Sequence, residues 1–454
     1  MQKKPTKPKR VKTPSTVTVD DAAERAVVEA ALRAFRTAKT TLPKARDPKA
    51  SREALTTIFQ QTDELAQLVV AAAEEDSDEE GEVDVDGVTW RSVGAFERTY
   101  HSTRGPIRVK RRLYRSKRNG RTRCLYDERR GVIEGLFLPD LGRAVVMAVA
   151  DLPAEGASRL LEAATGHPIA TATMKRTTTA VGNALRDEEA AFLQEVVDHQ
   201  AIPPTAVTVA ISVDALSFRL REQGYKQACV ATVSLLDDIG ERLATIRIGE
   251  MPESGKQTIM DRVEREVRSL LDRQPKLDVV VVIDGAVDLR RHLLARFPFA
   301  RHITDYFHVV EHIAAGLREI PFDSEATRAA QRRSFCHRLK HDDDAATEII
   351  QWLRDSGWVH PSMSEEAKAV VDAHAKYVEN QLPYLDYVDA LAHGMDIGSG
   401  AVEAACKTLV TQRLKVSGAT WSETGARAIL HLRSTLQSGR FSDALDFHAV
   451  MQAA

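Results

Sequence analysis

Two short apolar stretches, each followed by an aspartate, constrain the fold of this chain most strongly. The first reads Ala206-Val-Thr-Val-Ala-Ile-Ser-Val and precedes Asp214, and the second reads Asp278-Val-Val-Val-Val-Ile and precedes Asp284. Continuous β-branched runs of this length are typical of strands buried on both faces of a sheet. The two aspartates therefore mark the ends of two core strands and are candidates for one site. An acid that only keeps the end of a strand soluble is the simpler alternative.

The segments around these runs predict a mixed sheet with helices between its later strands. Alternation and helical spacing predict strands at 227–236 and 242–248, a helix at 257–271, the strand at 278–283, a helix at 287–296 and a strand at 301–304. Three strands, a helix, a strand, a helix and a strand is the order of the ribonuclease-H-like fold. Two carboxylates at the ends of its core strands suit the hard cations Mg²⁺ and Mn²⁺, which prefer oxygen ligands.

A third carboxylate is expected on a late helix. Ser399 is a plausible N-cap of that helix, and Glu403 then lies in its first turn. Small residues around Glu403 leave room for a backbone or a nucleic acid to approach. Compensation of the helix dipole is the commoner reason for an acid at such a position, so position alone leaves the role of Glu403 open.

Charge is distributed very unevenly along the 454 residues. The totals, 63 basic and 65 acidic residues, give a net charge of −2, and aromatic residues make up only 6%. These averages argue against a histone-like protein and against a base-stacking platform. Residues 74–86, however, hold nine acids and no base, whereas residues 104–130 hold twelve bases and two acids. The basic segment predicts a phosphate-contacting surface, and a solvated charged face is the alternative.

Strand-like alternation in this basic segment places Arg108, Lys110 and Arg112 on one face. We expect DNA contacts from the side chains of Arg108, Lys110, Arg111, Arg112, Arg115, Lys117 and Arg118.

The length of the chain predicts several structural units, and an α/β multidomain protein fits best. A helical and β-rich DNA-binding region would precede the ribonuclease-H-like core, and a helical insertion would interrupt that core. We expect a disordered basic arm (1–19), a helical segment (20–73), an acidic linker (74–86), a basic β-rich segment (87–135), a helical region (136–200), the core (205–320), a helical insertion (321–395), core helices with the third carboxylate (396–435) and a tail (436–454).

Helices are expected in the 136–200 region at 140–150, 154–164 and 171–193. Two short helices before a helix that bears threonine and arginine suit a helix-turn-helix, whose second helix would enter a major groove. An ordinary helical bundle fits the same pattern equally well.

The sequence argues against a membrane protein, a disulfide-stabilised protein and a protein with a cysteine-ligated zinc site. The longest apolar runs are far shorter than the roughly 18 residues that a membrane span requires. The four cysteines, Cys124, Cys229, Cys336 and Cys406, form no Cys-x-x-Cys pair. A reducing cytoplasm fits best, with association with the nucleoid when the protein is bound to DNA.

Motifs in the second half of the chain resemble those of bacterial insertion-sequence transposases of the ISKra type. These motifs are Asp396-Ile-Gly-Ser-Gly-Ala-Val-Glu-Ala-Ala-Cys-Lys, Gln412-Arg-Leu-Lys-Val-Ser-Gly-Ala-Thr-Trp-Ser with Gly425-Ala, Val281-Val-Ile-Asp-Gly and Ile303-Thr-Asp-Tyr-Phe-His-Val-Val-Glu-His. The pair Asp305 and His308 also resembles the Asp/Cys-x-x-His element of Mutator-like DDE transposases. The resemblance covers residues 88–434.

The resemblance implies a DNA transposase that acts by a DDE two-metal mechanism. Asp214, Asp284 and Glu403 would be the catalytic and metal-binding triad for Mg²⁺, for which Mn²⁺ may substitute. The protein would bind double-stranded DNA, both terminal inverted repeats and target, as a homo-oligomer. His308 would help to position the scissile phosphate or the carboxylates, and a histidine satisfied within a core helix is its alternative.

Other features of the motif region leave further expectations. Asp305 could be a helix cap or a functional acid. Arg413 and Lys415 are candidate phosphate contacts, or a solvated helix end. Family members commonly carry cysteine knuckles near the N-terminus, but residues 116–120 hold no cysteine. A zinc ribbon without cysteines is therefore expected there, and bound zinc is unlikely.

Two other functions remain open beside an active transposase. One is a domesticated, catalytically silent DNA-binding regulator, and the other is a nuclease that cuts DNA without joining it.

Overall fold

The computed structural model describes residues 21–73, 80–85, 87–196, 200–253, 255–359 and 362–453. The basic arm predicted at residues 1–19, and residues 74–79 of the predicted linker, lie outside the described residues. The protein is a mixed α/β protein that divides into two compact units. The first unit holds the described residues up to Ala144 together with Ser158–Ile169, and the second holds Val145–Ala157 and Ala170–Met451.

A helical hairpin begins the first unit. Helix α1 (Ala22–Thr41) and helix α2 (Pro48–Ala73) are joined through a short 3₁₀ turn at Leu42–Lys44. Both helices lie within the helical segment predicted at residues 20–73. Small side chains allow the two helices to approach closely, and the alanines buried between them are Ala30, Ala34 and Ala54.

A four-stranded antiparallel sheet follows the hairpin. Its strands are β1 (Glu82–Val85), β2 (Val88–Ser102), β3 (Gly105–Ser116) and β4 (Thr122–Arg123), and they lie in sequence order. The pairing of β2 with β3 shifts at a bulge between Ser92 and Gly94. A short helix, α3 (Leu125–Arg129), completes the segment that we expected to be β-rich.

Strand β1 corrects the prediction of a linker over residues 74–86. Val83 and Val85 are partly buried against the apolar cluster of Trp90, Tyr114 and Leu125. The alternation of these two valines with acids favours a half-buried edge strand, and burial of the valines outweighs the repulsion among the acids.

The region 136–200 is helical as expected. It forms α4 (Pro139–Asp151), α5 (Ala154–Thr165), α6 (Thr171–Asp187) and α7 (Glu189–Val196). The single helix predicted at 171–193 is therefore wrong in one respect, because it is interrupted at Glu188. The helix-turn-helix interpretation stays a prediction.

The sheet of the second unit has five strands. In chain order these are β5 (Thr208–Leu220), β6 (Gly224–Leu236), β7 (Arg242–Glu250), β8 (Asp278–Ile283) and β9 (Arg301–Thr304). Their spatial order is β7-β6-β5-β8-β9. The first three strands form an antiparallel meander, while β8 is parallel to β5 and β9 is parallel to β8.

Helices cover both faces of this sheet and bury it between two apolar clusters. On one face, α8 (Gln257–Arg273) and α9 (Val287–Arg296) pack against the strands through residues such as Met260 and Leu293. The helices of the other face share a cluster with Val280, Val282 and Ile303. They are α10 (Tyr306–Glu319), α11 (Glu325–His341), α12 (Ala345–Val359), α13 (Glu365–Gln381) and α14 (Tyr387–Ala392).

The C-terminal region is helical to Ala453. Helix α15 (Gly400–Ala405) continues into a π-helical stretch at Cys406–Thr411. Helices α16 (Gln412–Leu414), α17 (Glu423–Gln437) and α18 (Phe441–Ala453) follow. Helices α17 and α6 pack so closely that a Cβ atom added at Gly182 would lie 2.7 Å from the carbonyl oxygen of Ala428.

The prediction of a tail at 436–454 is wrong for residues 436–451, which are packed into the second unit. Arg440 is buried and binds the carboxylate of Glu266 through both terminal nitrogens. Phe447 of α18 lies against Phe192 with the ring centroids 5.7 Å apart. The apolar residues of this segment are integrated into the second unit because they complete its core.

Candidate active site

Three aspartates occupy one row at the carboxyl edge of the parallel strands. Ile211 of β5 lies opposite Val281 of β8, and Ile283 of β8 lies opposite Thr304 of β9. Three residues after the first pair come positions 214 and 284, and one residue after the second pair come positions 284 and 305. These three positions are therefore equivalent along the three strands. Those positions hold Asp214, Asp284 and Asp305. The three aspartates therefore lie in one row across the sheet, just after the carboxyl ends of β8 and β9 and in the middle of β5.

Asp214 lies within its strand and not at its end. The pairing of β5 with β6 continues beyond the pair of Asp214 and Val230 to the pair of Leu220 and Gly224, which corrects the predicted strand end. The Asp214 carboxylate accepts the backbone N–H of Ala215 at 2.6 Å. The Cys406 thiol donates to its other oxygen at 3.5 Å, and burial together with Asp214 raises the pKa of that thiol.

Asp284 directly follows β8, as predicted. Its carboxylate accepts the backbone N–H of Ala286 at 3.1 Å. A Cβ atom added at the intervening Gly285 would lie 2.6 Å from the Tyr377 hydroxyl oxygen, so only glycine leaves room for this close approach. Burial raises the pKa of Tyr377, and the nearby Asp284 carboxylate adds to this increase. The tyrosine therefore stays neutral and protonated beside Asp284 at neutral pH.

Asp305 is fully buried and links two distant parts of the second unit. Its carboxylate caps α10 by accepting the backbone N–H of His308 at 2.9 Å, and it also accepts the backbone N–H of Ser399. Burial alone would raise the pKa of Asp305, but the hydrogen bonds from Ser399 and His308 outweigh it and lower the pKa. The carboxylate is thus held ionised in the interior.

Glu403 lies on α15, whose N-cap position is occupied by Ser399 as expected. The Ser399 hydroxyl does not cap the helix; it donates instead to Glu403 at 3.2 Å. Glu403 itself is exposed. The π-helical stretch begins three residues later, and such stretches occur frequently at functional sites. The segment 399–403 therefore presents a carboxylate oriented by its own serine.

His308 is half-buried on the first turn of α10. Its Nδ1 lies 3.5 Å from Asp305 and has no hydrogen-bond partner among the described residues, although it is shielded from solvent. Ligand atoms of Asp305, His308 and Glu403 lie within 4.8 Å of one another. These three residues form a group that could hold a metal ion.

A single cleft brings together the predicted catalytic residues. Asp214, Asp284, His308 and Glu403 all line it, and Glu311 and Ser399 line it as well. Four of the lining side chains are carboxylates, the donors that suit a hard divalent cation such as Mg²⁺ or Mn²⁺. The unpartnered Nδ1 of His308 is a further donor at the edge of that set. The residues present therefore fit a divalent metal.

Sequence reasoning missed Glu311 of this site and left the role of Asp305 open between a helix cap and a functional acid. Glu311 lies one helical turn after His308, and the spacing of three residues puts both side chains on one face of α10. That spacing was visible in the sequence. The row position of Asp305 was not, because it depends on the pairing of β9 with β8.

The predicted DNA-binding residues of the first unit differ in their accessibility. Arg108 and Lys110 are exposed, as alternation predicted, and so are Arg115, Lys117 and Arg118. Lys117 also pairs with Glu82 at 2.5 Å.

Two further residues of this set, Arg111 and Arg112, also have partners within the unit. Arg112 is only 6% exposed, and its guanidinium binds Glu80 at 3.1 Å. Arg111 is half-buried and lies 3.9 Å from Asp127. The prediction that Arg112 contacts DNA at the surface is therefore corrected: its guanidinium is turned inward, where it binds Glu80 and the Ser92 hydroxyl.

Arg413 is likewise a buried residue and not a surface phosphate contact. Its guanidinium donates to the carbonyl oxygen of Val149 at 2.9 Å and lies over the Trp421 ring at 4.8 Å. Burial, assisted by the charge of Arg433, lowers the pKa of Arg413 to about 10. Lys415, by contrast, is exposed. Arg413 lies on the inner side of its helix. The pattern of residues along the chain does not show this, because it depends on contacts with Val149 and Trp421.

No protein-family model matches this chain, and no curated protein matches it significantly. Within the described part of the chain, every helix is too short or too polar to cross a membrane.

Proposed function

We propose that this protein is a DNA transposase that cleaves DNA and transfers strands at the ends of an insertion sequence. The observation that carries the proposal is the single cleft lined by Asp214, Asp284 and Glu403. The three carboxylates come from a central strand, the end of its parallel neighbour and a late helix. Their arrangement supports the DDE two-metal chemistry that the resemblance of the motifs implies.

The topology of the sheet supports a ribonuclease-H-like core. An antiparallel meander of three strands is extended from its first strand by two parallel strands, and helices cover both faces. In the proposed core, α11–α14 form the helical insertion between the row of aspartates and Glu403.

Asp214, Asp284 and Glu403 would hold the divalent cations. When bound, Mg²⁺ would stabilise charge on the scissile phosphate and favour deprotonation of the attacking water. The oxygen of water attacks phosphorus, and the bond to the 3′-oxygen breaks to leave a free 3′-hydroxyl. That hydroxyl then attacks a phosphodiester of the target, and a target 3′-oxygen departs.

The other residues of the cleft would position these groups. Asp305 holds Ser399 by its backbone N–H, and the Ser399 hydroxyl orients Glu403. His308 directs a nitrogen without a hydrogen-bond partner among the described residues towards the same carboxylates and would orient them or the phosphate. Both carboxylate oxygens of Asp305 already accept backbone N–H groups, so in this proposal Asp305 and His308 are positioning residues and not metal ligands, although they lie close enough to Glu403 to share an ion with it.

A basic groove beside the cleft supports a nucleic-acid substrate. Helices α10 and α11 line it, and Glu311 belongs to both the groove and the acidic cleft. Four arginines line the groove, and two acids, Glu311 and Glu325, line it as well. The arginines are Arg318, Arg328, Arg332 and Arg333, of which Arg328 pairs with Glu325. Guanidinium groups suit phosphate oxygens because of their planar array of donors. The groove could therefore guide a phosphodiester backbone towards the carboxylates.

The test uses the purified full-length chain and a plasmid that carries its gene with the flanking DNA. Cleavage and joining are expected with Mg²⁺ or Mn²⁺ and not with EDTA. Asp284→Asn and Glu403→Gln should each lower both rates at least about 100-fold, since even partners of metal ligands contribute 10–100-fold. Asp278→Asn is the matched control, because Asp278 is exposed at the opposite end of β8.

Other outcomes assign other functions. Cleavage without joining would favour a nuclease, and binding without cleavage would favour a silent regulator. Full activity of Asp284→Asn would contradict the proposed site. The proposal also places the protein in the cytoplasm, associated with the nucleoid through DNA.

A further inference from the structure

The α1–α2 hairpin exposes a large apolar surface. Phe35 and Phe59 are 65% and 61% exposed, although aromatic side chains of this size are normally well covered. Further apolar residues of the hairpin are also exposed: Val28, Leu32, Leu42, Leu55 and Val69. We refer to these seven residues as the hairpin patch. A patch of this kind on a single folded unit is typical of an interaction surface.

The spacing of the hairpin patch is that of a helix-packing seam. Along α1 and its end, the exposed positions 28, 32, 35 and 42 are separated by four, three and seven residues. Along α2, positions 55, 59 and 69 follow the same alternation of four and three once the small residues Thr62 and Ala66 are counted. Apolar residues at these intervals form the seam between helices that pack nearly antiparallel or parallel.

Both seams face the same side of the hairpin. Each includes the residue directly after a buried alanine, Phe35 after Ala34 and Leu55 after Ala54. One residue corresponds to a rotation of about 100° around a helix. The residue after each buried alanine is therefore rotated by this angle away from the contact between the helices. Because α1 and α2 run in opposite directions, these two rotations bring Phe35 and Leu55 to the same side of the hairpin. The hairpin patch is therefore one surface.

The charges around this surface are divided between its two ends. Residues 33–53, around the connecting turn, contain seven bases and two acids, a surplus of five positive charges. The open end, residues 21–32 and 54–73, contains five acids and one base, a surplus of four negative charges. Glu64 already pairs with Arg33 and Asp63 with Arg104; without these paired residues the surplus is four positive charges at the turn and two negative charges at the open end. A second hairpin in the opposite orientation would place each basic end against an acidic end.

The size of the surface fits an interface between two proteins. Helices of 20 and 26 residues are roughly 30 and 40 Å long, and two helices side by side are about 20 Å wide. The face is thus roughly 600 Å² in projection, and two faces together approach the lower limit of about 1,200 Å² for a stable interface.

We propose that a second copy of this chain covers the hairpin patch, with the two hairpins stacked face to face in opposite orientation as a four-helix bundle. Such an interface is self-complementary, as twofold symmetry requires. Phe35 and Phe59 are its apolar anchors, and the two ends of opposite charge set the orientation. This inference does not rest on the proposed catalytic function.

The first test measures the mass of the full-length chain in solution by light scattering and sedimentation equilibrium. A mass of twice the 50.2 kDa monomer is expected. The double variant Phe35→Glu/Phe59→Glu should weaken dimerisation at least about 100-fold, because two buried aromatic anchors are replaced by charges. Ile239→Glu is the control, since Ile239 is 79% exposed in the turn between β6 and β7. Circular dichroism verifies that each variant is folded.

The second test addresses the orientation. Arg36→Glu/Lys39→Glu reverses charge at the basic end of α1 and should weaken the dimer, because acids would then face the acidic end of the second copy. If the hairpins stacked with their turns at the same end, this variant would strengthen the dimer instead. A monomeric wild-type chain, an unaffected Phe35→Glu/Phe59→Glu dimer or a strengthened Arg36→Glu/Lys39→Glu dimer would each overturn the proposal.

Discussion

The carboxylate of Asp305 accepts the backbone N–H of Ser399, which lies 94 residues further along the chain. The backbone N–H of the next residue, Tyr306, donates to the carbonyl oxygen of Ile397 at 2.9 Å. These two bonds join the start of α10 to the segment that leads into α15. Since the Ser399 hydroxyl also binds Glu403, Asp305 couples the row of aspartates on the sheet to the carboxylate on the late helix.

Asp305→Asn tests this coupling. An amide nitrogen in place of one oxygen would face a backbone donor, so the free energy of unfolding should fall by about 1–3 kcal/mol. Because the folded pKa of Asp305 lies below its ordinary 3.8, its stabilising effect is complete above that pH and is lost as the pH falls through the folded pKa. In Asp305→Asn, the decrease in the free energy of unfolding that protonation of Asp305 causes as the pH falls should therefore be absent.

Urea unfolding at several pH values measures the effect, with Asp278→Asn as the exposed control. In cleavage assays, Asp305→Asn should lower kcat more than it raises KM, because Glu403 is displaced and DNA contacts are kept. Wild-type stability together with wild-type kcat would show that the bond to Ser399 has no positioning role.

His431 should make stability depend on pH between about 4 and 6.5. Burial lowers the pKa of this fully enclosed histidine to about 4, against an attraction from Glu189. The unfolded chain therefore takes up a proton at a pH where the folded chain does not. As the pH falls from 6.5 to 4, the protein should lose about 3 kcal/mol through this residue.

The contribution of His431 to the pH dependence of stability is measured by comparing the wild type with His431→Asn, which cannot take up the proton. The variant should show a flatter stability profile in this range, measured by urea unfolding. His337→Asn, an exposed histidine on α11, should follow the wild type. Equal slopes for the wild type and His431→Asn would refute the assignment.

The exposed bases of β3 should govern the salt dependence of duplex binding. Each phosphate contact contributes about 0.9 to the slope of log K against log salt concentration. Replacing Arg108, Lys110 and Arg115 by glutamine should therefore reduce the slope by up to about 3. Fluorescence anisotropy with a random duplex measures it, and Arg268→Gln, exposed on α8, is the control.

Arg112→Gln serves as a second comparison in the same assay. Because Arg112 is buried and paired with Glu80, this variant should lower stability and leave the slope unchanged. A slope that does not change when the three exposed bases are replaced would remove β3 from the DNA-binding surface.

Arg440 should be essential for the stability of the second unit. Replacing it by leucine leaves the Glu266 carboxylate buried without its partner, which should cost about 3–5 kcal/mol. The double variant Arg440→Leu/Glu266→Leu should recover much of this loss, because no buried charge remains unpaired. Chemical denaturation of the wild type, both single variants and the double variant gives the coupling. Additive losses would contradict a direct ion pair.

Local patterns in the sequence were sufficient for most elements of the second unit. The β-branched runs predicted β5 and β8, and helical spacing predicted α9 exactly where it lies, from 287 to 296. Asp214 and Asp284 were candidates because they follow such runs. Glu403 became a candidate only through the resemblance of its motif, since its position in a first helical turn has a simpler explanation.

Contacts between distant parts of the chain decided the rest. The sequence by itself determined most strands and helices of the second unit and which acids lie near strand ends, because those properties depend on neighbours along the chain. Strand β1 and helix α18 were not among the elements it determined. Only the tertiary structure decided that Asp305 joins the row of aspartates, that Arg112 and Arg413 are internal and that α18 belongs to the core. The burial of a side chain and the identity of its hydrogen-bond partners depend on segments that are distant in the sequence. No local pattern of charge or hydrophobicity contains that information.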